Sequence, residues 1–500
     1  MPTITEDLVA ILGRDMTSYA ISTLNRSIPS AIDGLKVVQR RILQCAIEQG
    51  FGSHHPVKVS RWAGQVMADY HPHGECDGSI VQLANESKFA LPLVYGLGNL
   101  GGFSRENSLL LSDDGPAASR YLKAHLSEFA EAVFDITDKS LLQTLPSYDD
   151  RNREVQFYVP ALPIAALIGA RGIATGYSVS APAYNLLELS QALLEHLRSG
   201  VSLHEAISKH VRGPDFTSAC NMLANSKLRS GMLEGTGSAV LEGNHAISKV
   251  RYGRGARHAI VVTNIPLISA ERLIRQVTAL LNSEEITDIV DIHDYSNAEG
   301  IRVEFVLSAK ANPSKVLSQM LQLTGLRDRF NIHCKMLTKP GGLPEQLSLS
   351  EICRLWLLAR KDLLIAKFSK EHAQLIARCH VLDGLLIAMA DMDRVIQIVR
   401  SSDNTSMAIS QLRLQLDLSE AQASAVLKLQ LSKLVKLEAN SIKLELAQAK
   451  LRSAELQELI SNEQALAEHI AMQIADLAER FGKPRKTKLV HELTELTWQP

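Results

Sequence analysis

Residues 37–51 read "VVQRRILQCAIEQGF" and residues 58–70 read "KVSRWAGQVMADY". In the first, Val38, Ile42, Cys45 and Ala46 recur at helical spacing, and Gly50 is placed to stop the helix. In the second, Val59, Trp62, Ala63, Val66 and Met67 repeat the pattern. Two short amphipathic helices joined through "GSHHP" (52–56) predict a helix-turn-helix, a unit that can lay one helix on DNA. An ordinary helical hairpin satisfies the same pattern.

Downstream, between about 131 and 335, β-branched runs such as "HAIVVTNIPL" (258–267) and "IRVEFVLSA" (301–309) alternate with helical windows such as "SAERLIRQVTALLN" (269–282). That texture predicts an α+β domain. From Leu347 onward "SLSEICRLWLLARKDLLIAKFSKEHAQLIARCHVLDGLLIAMADMDRVIQIVRSS" (348–402) is one long helical pattern. A second runs from Leu431 to Arg480, with Leu437, Leu444 and Leu451 spaced by seven and Leu466, Ile470, Ile474 and Leu477 continuing the stripe. Two long helices flanking a compact middle, 388–434, predict an antiparallel coiled coil with a small tip.

Five hundred residues exceed one core, so several domains are expected. With 53 Lys+Arg against 54 Asp+Glu, any nucleic-acid surface must be a local patch. Such a patch exists: from 26 to 73 stand six Lys+Arg (Arg26, Lys36, Arg40, Arg41, Lys58, Arg61) and three acids. Six scattered cysteines without a CxxC pair suit reduced thiols better than disulfides or zinc. The acidic N-terminus lacks a signal pattern, and no uninterrupted apolar run reaches membrane-spanning length, so a cytoplasmic chain with no membrane partner is expected.

Two stretches carry residues with chemical potential. In "GPAASRYLKAHLSEF" (115–129), a helical period puts Ala118, Tyr121, Leu122, His125, Leu126 and Phe129 on one stripe, which predicts a tyrosine ring inside a core. The chemical alternative is a nucleophile: a phenol of pKa near 10 would lose its proton while Arg120 stabilises the phosphate it attacks. In "ADYHPHGE" (68–75), a proline separates His71 and His73, so the imidazoles leave a defined corner and are able to bind phosphate or move a proton. No third ligand stands at metal-binding spacing, so no metal site is assigned to this chain.

Taken in order, "IPSAIDGLKVVQRRIL" (28–43), "YHPHGE" (70–75), "GLGNLGG" (96–102), "AASRYL" (117–122), "LIGARGIATGYSVSAPAYNL" (167–186) and "GPDF" (213–216) resemble the breakage-reunion subunit of type IIA DNA topoisomerases. These are the A subunits of bacterial DNA gyrase and topoisomerase IV and their phage counterparts. Carried over residue by residue, the resemblance makes Tyr121 the nucleophile that stays joined to a 5′ phosphate, with Arg120 beside it. It makes His71 and His73 the pair around the scissile site, and Arg26 and Arg41 phosphate-stabilising arginines, the former supplied by the partner protomer. It makes Lys36 and Arg40 DNA-backbone contacts, and Ile173 the wedge that bends the cleaved duplex.

The resemblance also implies an architecture: a winged-helix DNA-gate domain (1–135), an α/β tower (136–340), coiled-coil arms (341–387 and 435–482), a C-gate dimerisation domain (388–434) and a tail (483–500). It implies a homodimer that joins an ATPase and metal-binding B-type subunit in an A2B2 heterotetramer on double-stranded DNA. Mg²⁺ and ATP are then held by that partner, since no GxxxxGK[ST] loop or clustered acids stand here. The sequence ends soon after "ERFGKPRKTKLVHELTELTWQP", where gyrase-type subunits continue into a DNA-wrapping domain, so relaxation or decatenation is expected over supercoiling. The expected setting is the nucleoid of a bacterial or phage-infected cell. Two other classes compete: a non-enzymatic DNA-binding coiled-coil scaffold, which needs no special tyrosine, and an HxH metal hydrolase, which needs bound metal.

Overall fold

A computed structural model of the chain describes residues 8–72, 74, 76–84, 90–101, 115–134, 139–297, 300–339, 341–428 and 436–496. The chain is mixed α+β, and its contacts divide into two compact units: Met1–Arg360 with Ala471–Pro500, and Lys361–Ile470.

The first unit begins with four helices, α1 (Leu8–Ser27), α2 (Val37–Gln49), α3 (Val59–Asp69) and α4 (Asp77–Leu83). Strands β1 (Val57–Lys58), β2 (Val94–Leu97) and β3 (Lys123–Leu126) pair antiparallel in the order β1-β3-β2. Helix α2 stops where the sequence predicts: Gly50 turns left-handed at φ 67, and its N–H returns to the Ala46 carbonyl. Helix α3 is fixed to α2 by Trp62, fully buried, whose Nε1 donates to the Ile42 carbonyl at 3.1 Å. Its ring also meets Phe51 edge-on at 5.8 Å between centroids. Large-area burial and a satisfied indole N–H thus come from one residue.

The expected α+β region forms two large sheets, besides two-stranded hairpins, among the described residues. Six strands lie in the order Lys488–Val490, Asn221–Leu223, Thr236–Glu242, Arg327–His333, Tyr177–Ala181, Ala170–Ala174. Four more lie in the order His245–Tyr252, Gly255–Val262, Val303–Leu307, Ile289–Asp294. On one face of the second sheet, Leu273 and Val277 of helix Ala270–Asn282 and Val316 and Met320 of helix Pro313–Leu323 join Ile260, Val262, Phe305 and Leu307 in one core. The final stretch is sewn into this unit. Lys488–Val490 pairs parallel with Asn221–Leu223, and Arg485 grips the Glu188 carboxylate with Nε at 2.7 Å and Nη2 at 2.6 Å.

The 42-residue helix Leu349–Ala390 starts in this unit, where buried Trp356 donates to the Pro160 carbonyl at 2.8 Å. By length and composition alone it would also pass as a membrane span.

In the second unit, helices Met392–Ser401, Thr405–Leu416 and Glu420–Leu427 follow, and helix Lys436–Ser461 returns. They share a core of Leu382, Ala388, Ile398, Leu412, Ala423 and Leu446. The leucine stripe holds in its later part, where Leu466, Ile470, Ile474 and Leu477 are buried, and is corrected in its earlier part. Leu444 and Leu451 are 61% and 66% exposed, while Leu446, Ala449 and Leu456 are buried. In this helix the buried positions sit two residues out of phase with Leu444 and Leu451, and Leu446 and Ala449 join the core of this unit.

Candidate functional site

Tyr121 is not on a helix. Residues 119–121 form a turn, the Tyr121 N–H bonding the Ala118 carbonyl at 2.8 Å, and β3 follows at once. The helical stripe predicted for 115–129 is therefore wrong: the stretch holds a turn and strand β3, and helix begins only at Glu128. Leu122 is buried and its carbonyl accepts the Val59 N–H at 3.0 Å, whereas Tyr121 is 69% exposed.

The "GLGNLGG" segment supports this turn from below. The Asn99 carbonyl accepts the Ala117 N–H at 2.9 Å. Gly98, at φ 109, lies so near Leu122 that a Cβ there would stand 3.0 Å from its Cδ2. The phenol is thus an exposed group on a stiff mount. The Arg120 guanidinium lies 4.8 Å from the Tyr121 ring centroid, so a positive charge travels with the phenol.

A second cluster forms around Arg41. Its Nε and Nη2 donate to Glu154 Oε2 and Oε1 at 2.7 and 3.1 Å, and Nη1 lies 2.8 Å from His71 Nδ1. An arginine only donates, so Nδ1 accepts and the His71 ring proton sits on Nε2. His71 leaves the end of α3, its N–H bonded to the Val66 carbonyl at 2.9 Å, so the ring is set by the helix terminus. Glu154 belongs to the hairpin Thr144–Pro146/Arg153–Val155, and no motif in the sequence marks it.

Arg40, the residue before Arg41, is a correction. It donates to Asp33 at 2.8 and 3.1 Å and to the Leu35 carbonyl at 2.9 Å, and it is buried. Those donors fasten the loop before α2, so Arg40 is a structural cation rather than one presented to DNA. Lys36, at the head of α2, is half-buried, and burial lowers its pKa. It lines a cleft with Gln39, Arg171, Phe216 and Phe330. Arg26 is exposed in the last turn of α1. His73 lies outside the described residues.

Ile173 is 81% exposed, a large apolar side chain held in water near the tip of the hairpin Ala170–Ala174/Tyr177–Ala181. The preceding Gly172, on the middle rung of that hairpin opposite Val179, packs against α1: a Cβ there would collide with the Ser27 carbonyl at its end. An aliphatic side chain so exposed loses hydrophobic free energy unless something covers it.

Among the described residues, no three His, Cys, Asp or Glu side chains gather as they would around a metal ion. Charge near Tyr121 is supplied by arginine, so these residues do not themselves fit a Mg²⁺ site. All six cysteines are buried and unpaired.

The family model for the A subunit of DNA gyrase/topoisomerase IV matches residues 26–475. The DNA gyrase A subunit of Mycoplasma pneumoniae is 32% identical over 97% of this chain and 57% of its own length. The proteins of the same name from Staphylococcus epidermidis and Synechocystis are 30% and 29% identical, covering 94% and 99% of this chain and 52% and 57% of theirs. The chain thus spans little more than half the length of these relatives. A match running from Arg26 through helix Lys436–Ser461 and into the next helix, Glu463–Phe481, across both clusters and both units, makes the chain a member of the family of DNA gyrase and topoisomerase IV A subunits.

Proposed function

We propose that this chain is the DNA-cleaving subunit of a type IIA topoisomerase, and that Tyr121 is its nucleophile. The observation that carries the reading is a phenol 69% exposed on a rigid turn with a guanidinium 4.8 Å from its ring. The phenolic oxygen attacks a DNA phosphorus, the P–O3′ bond breaks, and the phenolic proton ends on the departing 3′ oxygen. A 5′-phosphotyrosyl ester and a 3′ hydroxyl result. One phosphate ester replaces another, so the bond energy is retained and the reverse attack reseals the strand. Arg120, with Arg41 and Arg26, stabilises charge gathering on the phosphate oxygens, and His71 donates through Nε2.

We assign β1–β3 with α2 and α3 to a winged helix that lays α3 against DNA, with Lys36 on the backbone, and Ile173 to the wedge that unstacks and bends the duplex. We further assign residues 341–387 and 435–482 to coiled-coil arms and 388–434 to the contact between two copies. Val399, Met407 and Leu414 in that segment are exposed apolar side chains of the kind a second copy would cover. Two tyrosines in a homodimer cut both strands, and the dimer keeps the broken ends together. We assign ATP and Mg²⁺ to a separate subunit. The complex works on DNA in the cytoplasm.

The test is direct. The chain is mixed with its ATPase partner, duplex DNA and Mg²⁺, then quenched with detergent. Protein attached to 5′ ends is the expected product, and Tyr121→Phe should give none. Equal adduct from both proteins would point to a DNA-binding scaffold or another nucleophile.

A further inference from the structure

In "GARGIATG" (169–176), Arg171 stands two residues before the exposed Ile173. Both lie on strand Ala170–Ala174, an outer strand of the six-stranded sheet, where alternate side chains share a face about 7 Å apart. Burial follows the alternation: Ala170 and Gly172 are buried, Arg171 and Ile173 exposed. Across the hairpin stand serines, Ser180 opposite Arg171 and Ser178 opposite Ile173. Side chains so small leave the two long ones clear to reach the floor of a narrow groove.

Arg171 is also steadied. Its guanidinium lies 5.1 Å from the Phe330 ring centroid, and Phe330 meets Phe216 of "GPDF" edge-on at 5.2 Å, so two aromatic rings back one cation. Among the described residues no carboxylate pairs with it. Asp215 lines the same cleft, but its oxygens accept from Asn185 Nδ2 at 2.9 Å and from the Lys486 and Thr487 N–H groups, each at 3.0 Å. The positive charge of Arg171 is therefore left for a ligand. An arginine already stacked loses less freedom on binding than a loose one, and a guanidinium is more weakly hydrated than an ammonium.

We propose that Arg171 is a specificity-determining residue: it occupies the minor groove beside the step opened by Ile173 and favours A·T pairs there. The proposal rests on Ile173 as the wedge and adds a reading of sequence to it. Apolar wedges of this kind enter from the minor groove, and a cation on the same face enters the same groove. A spacing of about 7 Å along the strand corresponds to about two base pairs at 3.4 Å each. A·T tracts narrow that groove and strengthen its negative potential, whereas each G·C pair puts the guanine N2 amine, a donor that an arginine cannot accept, on its floor. A plain phosphate contact, blind to sequence, is the reading the experiment must separate.

The full chain with its partner subunit is offered a pool of duplexes with a randomised centre, and bound duplexes are sequenced apart from those carrying adduct. Wild type is compared with Arg171→Gln and Ile173→Ala. Wild type should enrich A·T over G·C by roughly fivefold at two symmetric positions, one per protomer, the lower end of what a disfavoured pair costs. Arg171→Gln should lose that enrichment and, because the side chain is exposed, melt at the wild-type temperature. Inosine in place of guanine at those positions removes only the minor-groove amine, so wild type should bind I·C there as it binds A·T. A wild-type pool without enrichment, a profile that Arg171→Gln leaves intact, or equal weakening of Arg171→Gln on every sequence overturns the proposal; the last would make Arg171 a backbone contact. Loss of adduct from wild type would sink the cleavage reading alone, because the bound pool still decides Arg171. A duplex bent as fully by Ile173→Ala as by wild type would sink the wedge, and the Arg171 profile is read independently of it.

Discussion

Arg41 is held by Glu154 in a forked pair, with both carboxylate oxygens engaged at 2.7 and 3.1 Å, across 113 residues of sequence. The carboxylate sets the direction of the fork, and the third donor sets the tautomer of His71. Without DNA, Glu154 partly cancels the charge that a scissile phosphate would need. Replacing it therefore has two effects of opposite sign. Glu154→Gln should strengthen DNA binding slightly, because a net negative charge is removed, and should lower the rate of cleavage, because the fork is no longer aimed. Arg41→Ala should cut adduct formation by about 10²–10³, the usual effect of removing one preorganised donor from a developing oxyanion. Gel-shift titration and quenched cleavage assays separate the two; equal loss of binding and cleavage in Glu154→Gln would refute the aiming role.

Tyr121 and Leu122 make a contrasting pair. The phenol is mostly in water and its hydroxyl serves no internal bond among the described residues, so Tyr121→Phe should leave the melting temperature unchanged and abolish the adduct. Leu122 is fully buried under Gly98, so Leu122→Ala should cost about 2–5 kcal/mol and lower the melting temperature. A Tyr121→Phe protein that melts early would mean that the ring has a packing role after all.

Adjacent arginines on α2 show how much of the site could be read from sequence and where reading stopped. The order of motifs marks Tyr121, Arg41 and His71, and the glycine stop and tryptophan of the first two helices are legible as periodicity. But Arg40 and Arg41 differ by about 100° around the helix, and nothing local says which one faces Asp33 inside and which faces Glu154. Asp33 was findable seven residues upstream; Glu154 was not, because the hairpin that brings it is distant in sequence. The same limit explains the stripe of Leu444 and Leu451. A heptad gives the rhythm of a seam, while its phase is set by the opposite helix.

That distinction is testable at Arg40. As a buried partner of Asp33, Arg40→Ala strands a carboxylate in the interior and should cost about 3–5 kcal/mol. Lys36→Ala, at the half-buried head of the same helix, should melt near wild type and weaken DNA binding. Thermal melts and salt-dependent binding on both variants would expose the reverse assignment, in which Arg40→Ala folds normally and loses DNA.

The segment after helix Glu463–Phe481 is held by Glu188, and its strength should depend on pH. Burial alone would raise the Glu188 carboxyl, but bonds from Arg485 and the Arg212 backbone and side chain outweigh it and hold the pKa below the ordinary value. An unfolded glutamate titrates near 4.3, above the folded group, so the stabilisation is complete above about pH 4.5 and disappears as the pH falls through the lower folded value. Wild type should therefore out-melt Glu188→Gln at neutral pH, with the gap closing only in acid. A gap that stayed constant down to about pH 3, below the unfolded value, would show that charge is irrelevant there.

Gly172 and Ile173 are neighbours whose substitutions should fail in opposite ways. Ile173 is 81% exposed and supports nothing inside, so Ile173→Ala should change stability by less than about 0.5 kcal/mol. If the side chain wedges between base pairs, the same variant should bend DNA less and cleave more slowly, since the energy of unstacking, a few kcal/mol, is no longer offset by apolar contact. Gly172→Ala instead drives a methyl group into the Ser27 carbonyl, moving the hairpin away from the end of α1 and the exposed Arg26 beside it. It should lower the melting temperature and misplace both groups. Fluorescence energy transfer between the ends of a labelled duplex reads the bend, and calorimetry reads the fold. If Ile173→Ala bends DNA as fully as wild type, the exposed isoleucine has another partner, and the hairpin serves some surface other than the duplex.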